Sequence, residues 1–484
     1  MSGHKPRLLL LVVVIGLVQM VTLRAGHTWG DDFAHYILQA KHMAAGDGFV
    51  AREYVPNPET LNLGPQTVPP GLSVLLLPVY AVSGLNLTAM KIVLIVCLVI
   101  TLVLLDGLFA DRLPSGWRLA LVALVGFNPV IFDMRDMIET EKPFLVFEML
   151  ALYIIDRVFR AKEKPPLWIA VALGLTLFMA CATRNVGVAL ILTLAATVVF
   201  SLRRLAIFGV IAGGIAVLGM AVVSSLMRTG SGYSGFFNFS PLWLTRSAMV
   251  MAKTTEYLWW NGTPRLVAYG ALLMAGALAA WGLWLTLRRE PGPVELFLLC
   301  YTPIICAYFA PGYVFYLLPI YPFYVGYLLI GLRDFAARAP GPKVTIAAAA
   351  ALACALYAID FVRTDWGPIR QGIGDPEFRA LVEFIRSHTT KSDLLLFRKP
   401  RLLALMTERP SSVYPVHLDR ATSPDEVWAY IQKSNAHYLI TTSILIDPDS
   451  AQMNPVLEDF SKRYGRDLTL VYNSPHYHLY RIHN

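Results

Sequence analysis

Charge and cysteine are the scarce ingredients of this chain. Only 15% of its 484 residues are Asp, Glu, Lys or Arg, too few to cover the surface of an ordinary soluble protein of this size. The five cysteines, Cys97, Cys181, Cys300, Cys306 and Cys354, all fall inside apolar runs, so no disulfide framework is implied. There is no glycine-rich phosphate loop, internal repeat or heptad pattern, which leaves nucleotide-cradling, solenoid and coiled-coil readings without support. What is abundant is apolar: 56% of residues are hydrophobic, with a mean hydropathy of +0.54. The chain therefore reads as a mainly α-helical polytopic membrane protein. Its net charge of +8 would suggest nucleic acid in a soluble protein. Here the cations sit in short loops between apolar runs, so membrane orientation accounts for them and no nucleic-acid partner is expected.

Spans of roughly 17 to 25 apolar residues can be placed near 8–23, 86–109, 117–134, 142–159, 167–183, 185–202, 205–227, 265–287, 294–310, 312–331 and 344–361. That makes about eleven crossings. The loops holding Lys5 and Arg7, Arg112 and Arg118, Arg157 to Lys164, Arg203 and Arg204, Arg288 and Arg289, and Arg333 to Lys343 then fall on one side, which the positive-inside rule makes cytoplasmic. The short apolar stretch Gly71 to Val82, broken by Pro78, would invert every later loop if it crossed. It reads instead as an external interfacial or half-inserted helix. The N-terminus has a basic start and an apolar core but a poor cleavage site at Arg24-Ala25-Gly26, as expected of a retained signal anchor in a bacterial inner membrane.

Three parts follow: a transmembrane region over residues 1–361, its external loops 24–85 and 228–264, and a polar tail, 362–484. The tail alternates apparent helices (377–387, 424–433, 455–464) with short strands (394–397, 438–441, 468–472, 477–481), the pattern of a small extracytoplasmic α/β domain. It has no convincing acid or base cluster, so it is expected to shape acceptor access with its polar side chains out of reach of Asp32. The second loop holds Gly-Ser-Gly-Tyr-Ser-Gly and the aromatics Phe236, Phe237, Phe239, Trp243, Tyr257, Trp259 and Trp260, either an interfacial belt or a stacking surface for a sugar or isoprenoid. Its sequons at Asn238 and Asn261 are of a kind frequent by chance.

The candidate chemistry begins at Asp31 and Asp32, a few residues past the first span. A carboxylate at the edge of low-dielectric material can serve as a general base toward a hydroxyl; the alternative is that the pair merely caps the helix it opens. A second acidic loop, Asp133 to Phe144, holds Asp136 and Glu141, and Glu148 lies two turns further along the fourth span. By the loop alternation both acidic loops are external and flank one cavity. An acid such as Glu148 inside a span faces either a cavity or a structural partner. Cations at the same level are Lys91, Arg184, Arg246, Lys253 and Arg265, suited to a lipid phosphate or to snorkelling toward ordinary headgroups. Asp31 and His35 have i, i+4 spacing, with His27 and His42 nearby. No cofactor is expected, and a divalent metal at these histidines is the lesser reading, since scattered histidines near an interface are more often solvated.

Asp32, Tyr36 and Ala40, followed by Gly46, resemble the opening motif of the GT-C glycosyltransferases, in particular the branch containing dolichyl-phosphate-mannose protein mannosyltransferases and bacterial lipid A aminoarabinose transferases. The likeness continues through Pro69-Pro70-Gly71, Lys91, Thr140-Glu141-Lys-Pro-Phe144, Thr183-Arg184-x-x-Gly187 and Tyr316-Leu-Leu-Pro-Ile-Tyr-Pro322. The resemblance implies a GT-C-like bundle. It also implies transfer of a sugar, with inversion, from a polyprenyl-phosphate-linked donor to an extracytoplasmic acceptor hydroxyl on a glycan, lipid or protein, with membrane lipids as the other partners. Alignment on Tyr36 and Ala40 makes Asp32 the match to the family's catalytic aspartate. Asp32, Asp31 and Glu141 are then the catalytic candidates; Lys91, Arg184, Asp136, Glu148, Tyr36, Arg246 and Tyr316 are the substrate-binding ones. Phe315 stands where many members carry an arginine, which shifts the phosphate contact to Arg184, Lys91 or a cation of the aromatic loop. The competing class is a transporter or flippase of a lipid-linked sugar. It usually carries paired half-repeats, which this chain lacks.

Overall fold

A computed structural model describes residues 3–60, 68–161, 163–201, 205–227, 237–258, 265–289, 291–308, 314–417, 420–447 and 450–483. They form two compact units: Met1–Leu23, Lys91–Ser225 and Tyr233–Trp366 make the first, and Arg24–Met90, Leu226–Gly232 and Gly367–Asn484 the second.

The first unit is helical. Among the described residues, five helices are long and apolar enough to cross a membrane: His4–Val21, Leu87–Leu108, Ala206–Met227, Tyr269–Arg289 and Pro342–Arg363. The pair Ser115–Gly126 and Pro129–Asp136, bent by 51°, makes a sixth if read as one broken span. Glu141–Arg160, Leu167–Thr183, Val188–Phe200, Pro293–Ala307 and Tyr321–Arg338 occupy the remaining expected segments but are shorter or more charged.

Two of the expected spans need correction. Residues 117–134 are not one straight helix, because Pro129 has no amide to donate and Asn128 accepts from the Val130 and Ile131 amides at 3.0 and 3.2 Å, capping a new helix across the bend. The Asn128 amide donates to the Tyr321 hydroxyl at 2.8 Å, which lies 3.0 Å from the Tyr357 hydroxyl; that group in turn donates to the Leu124 carbonyl at 2.9 Å. The break is thus held by a satisfied buried network. The segment 312–331 enters its helix only at Tyr321, after a single 3₁₀ turn, Val314–Tyr316. Elsewhere the helices Arg265–Arg289 and Tyr321–Arg338 cross at backbone contact: a Cβ on Gly282 would come within 1.9 Å of the Tyr327 carbonyl oxygen, and one on Gly331 within 2.0 Å of that of Leu278.

The second unit is a small α/β body. Its sheet has the order β2-β1-β3-β5-β4, with β1 Leu395–Leu396, β2 Ser411–Ser412, β3 Tyr438–Thr442, β4 Leu468–Asn473 and β5 Tyr477–Ile482. β1 is parallel to β2 and β3; β5 is antiparallel to β3 and β4. Four of these strands coincide with the expected ones. β2 and the helix Pro400–Thr407 were not legible in the sequence. The segment after the first span covers the sheet's free edge: the Ser411 amide donates to the Glu53 carbonyl at 2.8 Å and the Val55 amide to the Ser411 carbonyl at 2.9 Å, which removes an unpaired edge. The fully buried Asn57 adds a side-chain bond to the Val413 carbonyl at 2.9 Å, and Trp29 packs edge-on to Phe378. Residues 24–60 and the tail therefore fold together. The helix Gly71–Ser83 belongs to the same unit and leaves Val74 and Val82 exposed, the kind of surface an interfacial helix presents.

Candidate functional site

In the second unit the aspartate pair opens the helix Asp32–Ala44, yet neither carboxylate caps it: Asp31 occupies the N-cap position without a side-chain capping bond. The capping alternative for this helix is therefore corrected. Asp31 instead accepts from the Leu402 amide at 3.0 Å, in the first turn of Pro400–Thr407, whose own N-cap residue Lys399 supplies no side-chain bond. It caps a helix 371 residues away in sequence.

Arg401 joins the two carboxylates. Its Nη1 lies 2.6 Å from Asp32 Oδ1 and its Nε 3.7 Å from Asp31 Oδ2, with the guanidinium 4.9 Å above the Tyr54 ring. The Arg401 side chain is 5% exposed and that of Asp32 65%. The tail thus reaches Asp32 directly, and the expectation that its polar groups stay beyond a side chain's reach is overturned. Burial pushes the Asp31 carboxyl above its ordinary range, and the opposing pull of Arg401 and the Leu402 amide does not cancel this. The pair is therefore differentiated: the Asp31 carboxyl is mostly shielded and holds its proton more tightly than a free one, while that of Asp32 is open to solvent.

The remaining groups on this helix have separate partners. Tyr36 is buried edge-on to His35, His27 stacks on Phe33, and His42 bridges Asp47 at 3.1 Å and Glu53 at 2.7 Å. The three histidines do not converge, and no group of three or more potential metal ligands occurs among the described residues.

In the first unit the second acidic loop turns through Met134–Asp136 into the helix Glu141–Arg160. Arg184 leaves the helix Leu167–Thr183 in an extended conformation, and a tight turn brings the chain back on itself. A Cβ at Gly187 would lie 2.7 Å from the Cys181 amide nitrogen, so the turn requires glycine. Arg184 pairs with Glu141, bonds Thr140 Oγ1 at 3.3 Å, and lies over the Tyr316 ring at 5.5 Å. Tyr316 accepts at its carbonyl from the Tyr301 hydroxyl at 2.9 Å. Glu148 is fully buried, and neither carboxylate oxygen has a hydrogen-bond partner among the described residues.

A second cluster surrounds Asp136. Lys91 Nζ stands 3.9 Å from one of its oxygens and Arg135 Nη2 3.6 Å from the other. Lys142, 3% exposed, has no hydrogen-bond partner for its ammonium among the described residues and feels both Asp136 and Arg135 electrostatically. Arg135 is anchored by bonds to the Thr22 and Phe132 carbonyls at 3.1 and 3.2 Å. Three buried basic groups thus gather at Asp136, and Asp133, half exposed, adds a second carboxylate 3.7 Å from Arg135 Nη1.

Arg135, Lys142 and Arg401 were passed over in the sequence. The first two stood in plain view in Asp-Met-Arg-Asp and Glu-Lys-Pro; nothing local marks the third. Arg246 and Lys253 are exposed on the helix Pro241–Thr254, without an ion pair among the described residues. Most of the glycine-aromatic loop, including Phe236, Trp259 and Trp260, and the Asn261 sequon lie outside the described residues, as do the side chains of Tyr257 and Arg265.

No family model and no curated protein matches the sequence, whereas solved structures do. ArnT from Cupriavidus metallidurans, in a crystal structure bound to undecaprenyl phosphate, aligns with a TM-score of 0.59 at 14% identity, covering 98% of this chain and 97% of that one. The Archaeoglobus fulgidus oligosaccharyltransferase in complex with zinc and sulfate aligns with a TM-score of 0.60 at 11% identity, covering 96% and 72%. The same organism's AglB, in complex with an inhibitory peptide and a dolichol-phosphate, gives 0.60 at 11%, covering 97% and 73%. At such identities the likeness is one of fold: this chain has the polytopic architecture of the GT-C proteins.

Proposed function

We propose that this protein is a membrane glycosyltransferase that moves a hexosyl or pentosyl group from a polyprenyl-phosphate-linked donor to an acceptor hydroxyl, with inversion at the anomeric carbon. The observation that carries the reading is the gathering of three buried basic side chains, Lys91, Arg135 and Lys142, around Asp136. Burying the Lys142 ammonium with no hydrogen-bond partner among the described residues is costly and suits a site that receives an anion. The fold likeness to ArnT bound to undecaprenyl phosphate and to AglB with dolichol-phosphate supports the same ligand class.

In this reading the acceptor oxygen bonds to the anomeric carbon as the bond from that carbon to the phosphate oxygen breaks, and the electron pair leaves with the lipid phosphate. Lys91, Lys142 and Arg184 meet the growing negative charge. The hydroxyl proton passes to Asp32, whose Oδ2 makes no hydrogen bond to the described residues while Oδ1 is held by Arg401. Glu141 fixes Arg184. Asp136 spaces the lysines, Tyr36 and Tyr316 shape the binding surfaces, and Glu148 and Arg246 line the route of donor or acceptor. We read the chain as crossing a bacterial inner membrane eleven times, with the N-terminus cytoplasmic and the Asp32 loop and tail, 362–484, extracytoplasmic. A reporter fused after residue 361 should then be extracytoplasmic and one near Lys162 cytoplasmic.

Detergent-purified protein given a polyprenyl-phosphate-linked sugar and an envelope-glycan extract tests the proposal. A new glycosidic product is expected. A protein that moves the donor across liposome bilayers yet forms no product in micelles is a flippase, and the enzyme reading fails.

A further inference from the structure

Side chains from four of the basic loops meet at one end of the first unit, in a group that shares no residue with the Lys91 and Arg184 clusters. Arg112, Arg160, Arg289 and Arg333 line a cavity of about 700 Å³ together with Asp111 and Asp334. The two lining carboxylates are also held from outside the cavity, and Asp334 is shared with Arg289. Asp111 pairs with Arg157 at 3.0 Å; Asp334 pairs with Arg338 at 3.0 Å and accepts from the Trp281 indole at 2.9 Å.

Arg112 is the informative member. Its side chain is 7% exposed, and its Nη2 stands 3.6 and 3.5 Å from Asp156 and Glu295. Its Nε and Nη1 have no hydrogen-bond partner among the described residues. The two carboxylates behind it are partly engaged: Asp156 accepts from Arg160 at Oδ2 at 3.0 Å, leaving Oδ1 toward Arg112 without a hydrogen bond among the described residues, and Glu295 accepts from the Gly292 amide at 2.7 Å and from the Tyr327 hydroxyl. Arg289 and Arg333 make no ion pair among the described residues, and Arg333 reaches only the Arg112 carbonyl at 3.5 Å. Buried donors left without acceptors are costly, and together with Arg289 and Arg333, which make no close ion pair among the described residues, they make a cavity suited to an anion.

The setting indicates which anion. Trp281 and Trp284 stack on the helix that carries Arg289, both partly exposed, with Arg288 over the Trp284 ring at 3.9 Å. Stacked tryptophans beside arginines mark the depth of the lipid headgroups, and Leu285 and Ile330 give the cavity an apolar wall. We infer that this cavity binds the phosphate of an anionic phospholipid headgroup, with Arg289 and Arg333 as its outer donors and Arg112 at its base.

Native mass spectrometry of the full chain, released from mixed micelles containing phosphatidylglycerol or phosphatidylcholine, tests this. The wild type should retain one phosphatidylglycerol, and the double variant Arg289→Gln/Arg333→Gln should retain at least tenfold less. Lys343→Gln, which removes a loop cation outside the cavity, should behave like the wild type. Arg112 is left intact because its loss would strand Asp156 and Glu295. Retention unchanged in the double variant, or an equal loss in Lys343→Gln, overturns the site. Displacement of the lipid by millimolar inorganic phosphate would assign the cavity to a soluble anion and overturn the lipid assignment.

Discussion

Arg401 and Asp32, 369 residues apart, meet at 2.6 Å. The contact places a guanidinium from the chain's last quarter on the carboxylate proposed as general base. Asp32→Asn preserves an oxygen that can still accept from Arg401, so folding should change by about 1 kcal/mol or less. A general base cannot be replaced in this way, and transfer should fall by roughly two to four orders of magnitude while donor binding persists. Asp31→Asn should do less harm, since its amide oxygen can still accept from the Leu402 amide. If Asp31→Asn abolishes transfer and Asp32→Asn does not, the two roles are exchanged.

Removing Arg401 should act through Asp31. Arg401→Gln leaves a buried carboxylate without its cation and should lower stability by about 1–3 kcal/mol, the cost of an unpaired buried polar group. In an Asp31→Asn background that penalty should shrink, because only the solvent-exposed Asp32 carboxylate remains to be compensated. Thermal melts of the four proteins form the cycle. Strictly additive effects would show that the pair is not coupled.

The raised Asp31 value makes a signed prediction about pH. A carboxyl that holds its proton more tightly when folded contributes stability fully present below its ordinary value of 3.8, and loses that contribution as pH rises through the higher native value. The melting temperature of the wild type relative to Asp31→Asn should therefore decline across that interval. A difference that grows with pH would mean that Arg401 outweighs burial.

Arg401 also bears on metal dependence. A divalent ion bridging Asp31 and Asp32 would have to occupy the place its guanidinium fills, against like charge. Transfer should therefore persist after exhaustive chelation, with no gain on adding back magnesium, manganese or zinc. Loss on chelation and recovery with one of these ions would require Arg401 to move aside.

Much of this was readable in advance. Apolar length placed the helices of the first unit, and alternation with turn residues marked four strands of the tail. The Asp32 helix, Lys91, Glu141 and Arg184 all stood in local motifs. The break at Asn128 escaped because a satisfied asparagine and a proline interrupt a span without changing its hydropathy. Arg401 escaped for a different reason: its role exists only once Pro400–Thr407 lies against the start of Asp32–Ala44, and no periodicity reports a pairing across that separation. The same holds for Glu53 and Val55 on the edge at Ser411.

Lys142 allows the sharpest separation of binding from architecture. Its ammonium is buried without a hydrogen-bond partner among the described residues, so on its own it is a cost. Lys142→Met keeps the length and apolar stem of the side chain and removes that cost, so thermal stability should hold or rise. If the cluster around Asp136 receives the donor phosphate, the same change removes a charge-assisted contact worth about 1.5–3 kcal/mol, and the dissociation constant for polyprenyl phosphate should rise roughly ten- to a hundred-fold. Lys91→Met should weaken binding as well but also destabilise, because it takes a partner from Asp136. A purely structural Lys142 predicts the reverse pattern, with stability lost and lipid affinity kept; melts and lipid-binding isotherms on the same preparations distinguish the two.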